Sequence, residues 1–307
     1  MAAKRKITRI PQQVDASLDK PLDTDAPPTI FATALKPEYA TAALNLSVDF
    51  LKQQQAIANK YLITHPIVIF IIVIMLIIFM TPRLTFPTMA HFQSVSGMLY
   101  YFCLVNKKAV LTALLFTVIA TSFIFTLLSR VSDSYFKLKI DQIVNCNALT
   151  IFNTDLQKLR NNTEEEDEET LNNTHIIVYR NTPIALISIS KNNALSKKNE
   201  SLTMNINCLG ARKVYLPSGV VHDMIDWAMI RTKALCSATG EKVDSLRLIV
   251  EVFSFDEKMK QILRRKGFVF VQSGKIMENR LLGGLFGVKK ELWGCQFRFN
   301  NAKNKKK

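Results

Sequence analysis

The apolar positions change their spacing twice along the chain. From Ile67 to Met80 every side chain is aliphatic, phenylalanine or methionine, so a helix here has no polar face to turn to water. As a helix, Tyr61–Met80 reaches about 30 Å, the thickness of a bilayer's hydrocarbon layer. Ala109–Leu128 is a second stretch without charge, set between Lys107, Lys108 and Arg130, and its Thr and Ser hydroxyls can bond back to the helix. The pattern predicts transmembrane helices at 61–80 and 109–129, joined by a luminal loop over 81–108. The loop's Phe86, Phe92, Tyr100, Tyr101 and Phe102 suit a bilayer interface. Ahead of them Glu38–Lys60 reads as a helix running into the first span, with Leu44, Val48 and Leu51 at spacings of four and three. From His175 onward β-rich runs appear. Ile176–Tyr179 and Ile184–Ile189 flank a hairpin at Arg180-Asn181-Thr182-Pro183. Leu202–Leu209 alternates as a strand, and Val220–Leu235 is helical with Val221, Met224, Ile225, Ala228 and Met229 on one face. Leu246–Phe253 is a buried strand, Asp256–Lys266 a helix closed by Gly267, and Phe268–Gln272 and Glu291–Phe299 are the last strands. That order describes a membrane-anchored α/β protein, a hairpin of two helices followed by a mixed sheet with flanking helices over 130–300.

Charge sharpens the division. The 307 residues carry 40 Lys and Arg against 25 Asp and Glu, yet residues 61–129 contain no acid at all. With 48% hydrophobic residues and a mean hydropathy of +0.11, the chain is neither disordered nor collagenous. Residues 1–60 read as a cytosolic tail and helix, because Pro11, Pro21, Pro27, Pro28 and Pro37 leave little regular structure at its start. Glu164–Glu169 reads as a solvated acidic loop. Two spans put both termini on one side, and Lys52, Lys60, Arg130, Lys137 and Lys139 against Arg83, Lys107 and Lys108 favour the cytosol. Sequons at Asn45, Asn161, Asn172 and Asn199 all lie outside the loop and leave the reverse orientation open. Cys103, Cys146, Cys208, Cys236 and Cys295 are odd in number and widely spaced, which fits reduced thiols.

Catalytic material is thin. His65, His91, His175 and His222 have no Cys or carboxylate at metal-ligand spacing. His222 and Asp226 sit four apart on one helix, a possible acid/base pair that reads more simply as a helix-surface contact. Gly283-Gly284-Leu285-Phe286-Gly287 lacks the Gly-Lys-Ser/Thr of a phosphate cradle, and its apolar neighbours suit lipid or a partner helix. Lys258, Lys260, Arg264, Arg265 and Lys266 form a basic helix better matched to anionic headgroups than to nucleic acid. Thr112, Thr117, Ala120 and Thr121 give the second span a small, hydroxyl-bearing face, suited equally to a client helix and to the first span.

Strand Leu246–Phe253, the helix behind it and Gly267-Phe268 resemble the closing half of a GCN5-related N-acetyltransferase (GNAT) fold. In that fold a Gln/Arg-x-x-Gly-x-Gly/Ala loop at a helix N-terminus holds the CoA pyrophosphate. Here the matching stretch is Val214–Gly219, in which only Gly219 fits: Val214 replaces the Gln/Arg and Pro217 removes an N–H. Leu263 stands where many such enzymes place an acidic Tyr. The resemblance implies a degenerate domain without cofactor, metal or catalytic residue. Lys303 and Lys305, in the basic 301–307 tail, resemble the dilysine signal for retrieval to the endoplasmic reticulum (ER), and a solvated tail accounts for them as well. The whole chain, with Asp25–Ile30, Leu35–Ala40, the hairpin and this domain, resembles a fungal family of ER-resident accessory proteins needed for export of the high-affinity phosphate transporter. That resemblance implies a non-catalytic, multi-pass ER membrane protein with cytosolic termini. Its client is a polytopic phosphate:proton symporter, and COPII and retrieval coat components are further partners. The alternative is an ER-anchored N-acetyltransferase using acetyl-CoA.

Overall fold

The computed structural model describes residues 29–85, 95–161, 168–196, 201–238 and 245–298. Its centre is a sheet of seven strands: β1 Ile30–Ala34, β2 Thr174–Tyr179, β3 Thr182–Lys191, β4 Ser201–Ala211, β5 Ser245–Phe253, β6 Val269–Lys275 and β7 Lys289–Arg298. They lie in the order β1-β2-β3-β4-β5-β7-β6, antiparallel throughout except for the parallel pair β4–β5. The helices are α1 Ala40–Ile63, α2 Pro66–Met80, α3 Val95–Val105, α4 Lys107–Asn145, the short α5 Leu149–Phe152, α6 Leu156–Arg160 and α7 Glu168–Leu171, then α8 Val220–Ala238 and α9 Glu257–Arg265. A mixed sheet with flanking helices is the architecture that the GNAT resemblance implied. The expected hairpin closes in two residues, Arg180 and Asn181, at φ 46° and 58°, a left-handed pair whose twist suits a tight β-turn.

Strand alternation divides the core between the two faces. Ile177, Ile187 and Ile189 pack with Met224, Ile225 and Ala228 of α8. Ile176, Val178 and Leu186 pack with Ala43, Leu46 and Phe50 of α1 and with Ile151 and Phe152 of α5. A third cluster joins Ala58 and Leu62 at the end of α1, Val68 of α2, and Leu128, Tyr135 and Phe136 of α4 to Phe255, Ile276, Leu282 and Phe286.

Four segments differ from the sequence-based expectation. First, β1 and α1 belong to the sheet body, not to a separate 1–60 tail. Ile30 pairs with Tyr179 and Ala34 with His175, so a short run amid prolines becomes an edge strand through a partner far along the chain. The buried face of α1 is Ala40, Ala43, Leu46, Ser47 and Phe50, because small Ala and Ser side chains let the helix come close to the strands; Leu44, Val48 and Leu51 are only partly covered. Residues 1–28, with Pro11, Pro21, Pro27 and Pro28, lie outside the described residues.

Second, the first apolar helix starts at Pro66 and not at Tyr61. Proline has no N–H to give and disfavours a helical residue before it; His65 is extended at φ −67° and ψ 134°, and α1 ends at Ile63. Third, the 81–108 connection holds α3, and only 86–94, with Phe86, His91 and Phe92, lie outside the described residues. Its two ends are tied by buried Asn106, whose Oδ1 accepts from Thr85 N at 2.9 Å and whose Nδ2 donates to Thr85 O at 3.0 Å. Fourth, Glu168 and Glu169 open α7, so part of the expected acidic loop is helical. The second apolar stretch continues past 129 in one unbroken helix of 39 residues.

Candidate functional site

Pairing between β4 and β5 stops at Ile206 opposite Val250, although β4 runs on to Ala211 and β5 to Phe253. Their ends therefore diverge into a wedge between α8 and α1. Helix α1 is fastened to both lips of it. The Phe50 ring lies directly on Gly210, where an added Cβ would come within 2.5 Å of Phe50 Cγ, so only glycine leaves room for the ring. Gln53 Nε2 donates to Ala211 O at 3.2 Å and Gln54 Nε2 to Asp256 Oδ2 at 2.8 Å. Cys208 Sγ lies 3.7 Å from Ser47 Oγ, and burial pushes its thiol pKa up to about 12. None of Phe50, Gln53 and Gln54 was singled out by the sequence, since no motif marks a helix that fills a wedge.

The stretch Val214–Gly219 is not an open cradle. Lys213–Ser218 winds into a 3-10 helix that contains Pro217, and Gly219 follows at φ 85°. Such a helix uses its own N–H groups in i→i+3 bonds, and Tyr215 N donates to Arg212 O at 2.8 Å. Val214 points outward, 81% exposed. The first turn of α8 carries the Asp223 carboxylate, which opposes an anion at that helix end. These residues do not fit a pyrophosphate. Leu263 is fully buried with Phe268 in the core on the α8 face.

The basic helix is largely spoken for. Lys260 is buried and donates to Ser254 O at 2.7 Å, with Glu257 and Glu291 beside it. Arg264 lies over the Trp293 ring at 5.2 Å. Lys266 pairs with Asp226, so Asp226 meets Lys266 across two helices. The free headgroup-binding face expected for this helix is therefore reduced to its remaining cations.

Two stretches, Pro66–Arg83 and Lys107–Asn145, are long and apolar enough to cross a membrane, and only 6% of the most apolar window of each is buried. Phe79 and Phe116 stack at 4.1 Å where α2 meets α4. Ala113 and Ala120 are buried on that side of α4. Thr117 and Thr121 are half-buried with their hydroxyls bonded to Ala113 O and Thr117 O, so the face sought for a client is partly taken up inside the hairpin, while Thr112 remains exposed.

Leu281–Leu285 forms a single π-turn in which Leu282 and Phe286 face inward and Leu281 and Leu285 outward. Gly283 is required there, because an added Cβ would collide with Ile276 O. His65 caps α2 and sits edge-on to Tyr61 and Phe286. His175 stacks on Trp227 at 4.6 Å, and burial lowers its pKa. None of the five cysteines forms a disulfide. Among the described residues no three His, Cys, Asp or Glu side chains gather as a metal site. Lys303 and Lys305 lie outside the described residues.

No curated protein matches the chain. Among solved structures, it is similar to Arabidopsis thaliana Naa50 in complex with a bisubstrate analogue (12% identity, 44% of this chain and 83% of that one, TM-score 0.31). It is likewise similar to a GNAT-family acetyltransferase from Streptococcus pneumoniae (14%, 51% and 92%, TM-score 0.33) and to Ard1 from Thermoplasma volcanium (11%, 49% and 90%, TM-score 0.30). The profile of the family described as inorganic phosphate transporter chaperone Pho86 matches residues 12–297. That match takes in β1, the apolar hairpin and the whole sheet body, and with it the chain belongs to the inorganic phosphate transporter chaperone Pho86 family.

Proposed function

We propose that the chain is a non-catalytic packaging chaperone of the ER membrane, which helps a high-affinity phosphate:proton symporter fold and enter COPII vesicles while itself staying behind. The family match over residues 12–297 carries this reading, since it supports a chaperone role toward an inorganic phosphate transporter. In this reading α2 and the first half of α4 cross the bilayer. Their exposed side chains, among them Ile78 at 68% and Leu114 at 63%, favour it, because water is a poor solvent for so large an apolar surface. The β1–β2 pairing adds a geometric reason. The sheet takes strands from before and after the hairpin, so the chain has to return to the side it left. Free thiols, including exposed Cys146, favour the reducing cytosol for that side, which makes the protein multi-pass with both termini cytosolic.

The client would lie against the outer face of α4, where Thr112, Leu115 and Ile119 are exposed. Lys303 and Lys305 would return escaped molecules through the retrieval coat. The wedge sealed on one face by α1 and the self-bonded Lys213–Ser218 turn support the absence of acetyl transfer.

The test is a cell lacking the chain but carrying a tagged transporter. Retention of the transporter in the ER, relieved by restoring the full chain, is the expected outcome; normal delivery to the plasma membrane without the chain overturns the proposal. The rival reading, an ER-anchored N-acetyltransferase, draws on the strand order and the β4–β5 divergence. It predicts saturable acetyl-CoA binding by the purified full-length protein, and calorimetry showing none removes it.

A further inference from the structure

The connection from β6 to β7 climbs α4 towards the apolar hairpin. Glu278 pairs with Lys139 at 2.7 Å, and Asn279 Nδ2 donates to Val131 O at 3.1 Å, eight residues or about 12 Å further up the helix. Leu282 then packs with Leu128, Leu62 and Val68, and Phe286 meets His65 at 5.3 Å and takes the Tyr61 hydroxyl on its carbonyl at 3.3 Å. The π-turn is thus level with the point where α1 gives way to α2. Its outward pair, Leu281 and Leu285, is 49% and 51% exposed, although four residues apart on one face and next to a fully packed pair. Exposed Lys60, Arg130 and Arg280 flank the same level.

We propose that this turn is a third membrane contact: Leu281 and Leu285 enter the headgroup and upper acyl region of the bilayer, beside the hairpin, with Lys60, Arg130 and Arg280 meeting anionic headgroups around them. The turn then fixes the tilt of the sheet body against the membrane surface. The proposal rests on the reading that α2 and α4 span the bilayer. Its occupant is lipid because the turn continues the apolar surface of those helices at their base, and because apolar side chains ringed by cations match a headgroup boundary better than a protein groove.

The experiment uses the full chain in phosphatidylcholine and phosphatidylserine vesicles containing brominated lipids. Leu285→Trp and, separately, Leu281→Trp are compared with Val118→Trp, exposed at the middle of the apolar half of α4, each after subtraction of the signal from Trp227 and Trp293. The expected result is that bromines near the headgroup roughly halve the added fluorescence at 285 and 281, a depth of about 5–10 Å, while Val118→Trp responds most to deep bromines. Quenching at 118 with none at 281 or 285 overturns the contact and leaves the spans standing. No quenching at any of the three overturns both.

Discussion

Helices α1 and α2 follow one another through a two-residue break and both pack on α4, yet α1 also lies against β3 and β4 while α2, among the described residues, touches no strand of the sheet to any extent. In α1 the apolar and small residues gather on one face, Gln53 and Gln54 bond to the sheet body, and only the stripe Lys52, Ala56 and Lys60 is exposed, so it has a broad surface for a core and a narrow one for water. In α2 the apolar residues go all the way round, and Val68 is its one buried residue. What separates them is therefore the arrangement of apolar residues more than their number: a patterned helix finds a protein face, and an unpatterned one needs an apolar medium on every side. His65 and Pro66 hold the boundary between these two environments.

The sharpest way to break the contrast is a pair of matched truncations. Leu46→Ala, at a fully buried position, is expected to destabilise the sheet body by about 2–5 kcal/mol in denaturant unfolding in detergent, whereas Ile78→Ala leaves the midpoint unchanged. Equal losses would mean that α2 is a core helix as well. Next in size, Ile74→Asp, at the middle of the Pro66–Arg83 stretch, is expected to weaken bilayer insertion by about 3 kcal/mol, seen as loss of chain from carbonate-washed membranes, with the folded body intact. Gln54→Ala removes the hydrogen bond to the Asp256 carboxylate and should cost about 1.5–3 kcal/mol, detected as faster proteolysis within α1.

The smallest effect reads the same contact through pH. The Cys208 thiol, normally near 9.0, is held at about 12 by burial under α1. The folded state therefore keeps the proton that the unfolded chain releases. This contribution is whole below pH 9 and is lost as pH rises from there towards 12, by about 1.4 kcal/mol at pH 10. Cys208→Ala should abolish that share of the alkaline destabilisation, measured as the difference between the two unfolding curves.

Much of the sheet body was legible in the sequence because its cues are local: Arg180-Asn181 for the turn, Asp256 and Gly267 for the ends of α9, β-rich runs for β2 and β3, alternation for β4 and an apolar run for β5. β1 was not, since Ile30–Ala34 becomes a strand only by pairing with residues 174–179. The buried face of α1 was misplaced because Ala43 and Ser47 contribute by being small, a property that a search for large apolar residues passes over. At the site, the identities of Val214 and Pro217 already spoke against a pyrophosphate cradle, and the self-bonded Lys213–Ser218 turn agrees with them. The wedge-filling residues Phe50, Gln53 and Gln54 carried no such sign, because their meaning depends on Gly210 and Asp256 at distant positions. The Leu281–Phe286 segment was recognised as apolar, but which leucines face inward follows only from the turn that Gly283 permits.

The pairing of Ile30 with Tyr179 also sets an order of events during synthesis. About 140 residues separate the end of β1 from the start of β2, so at ribosomal speed the partner of β1 emerges on the order of ten seconds later. In that interval the apolar hairpin leaves the ribosome while Leu46 and Phe50 still have no strand to cover. If α2 and α4 span the bilayer as proposed, the sheet closes only after both have been delivered there, and the body takes shape beside the membrane.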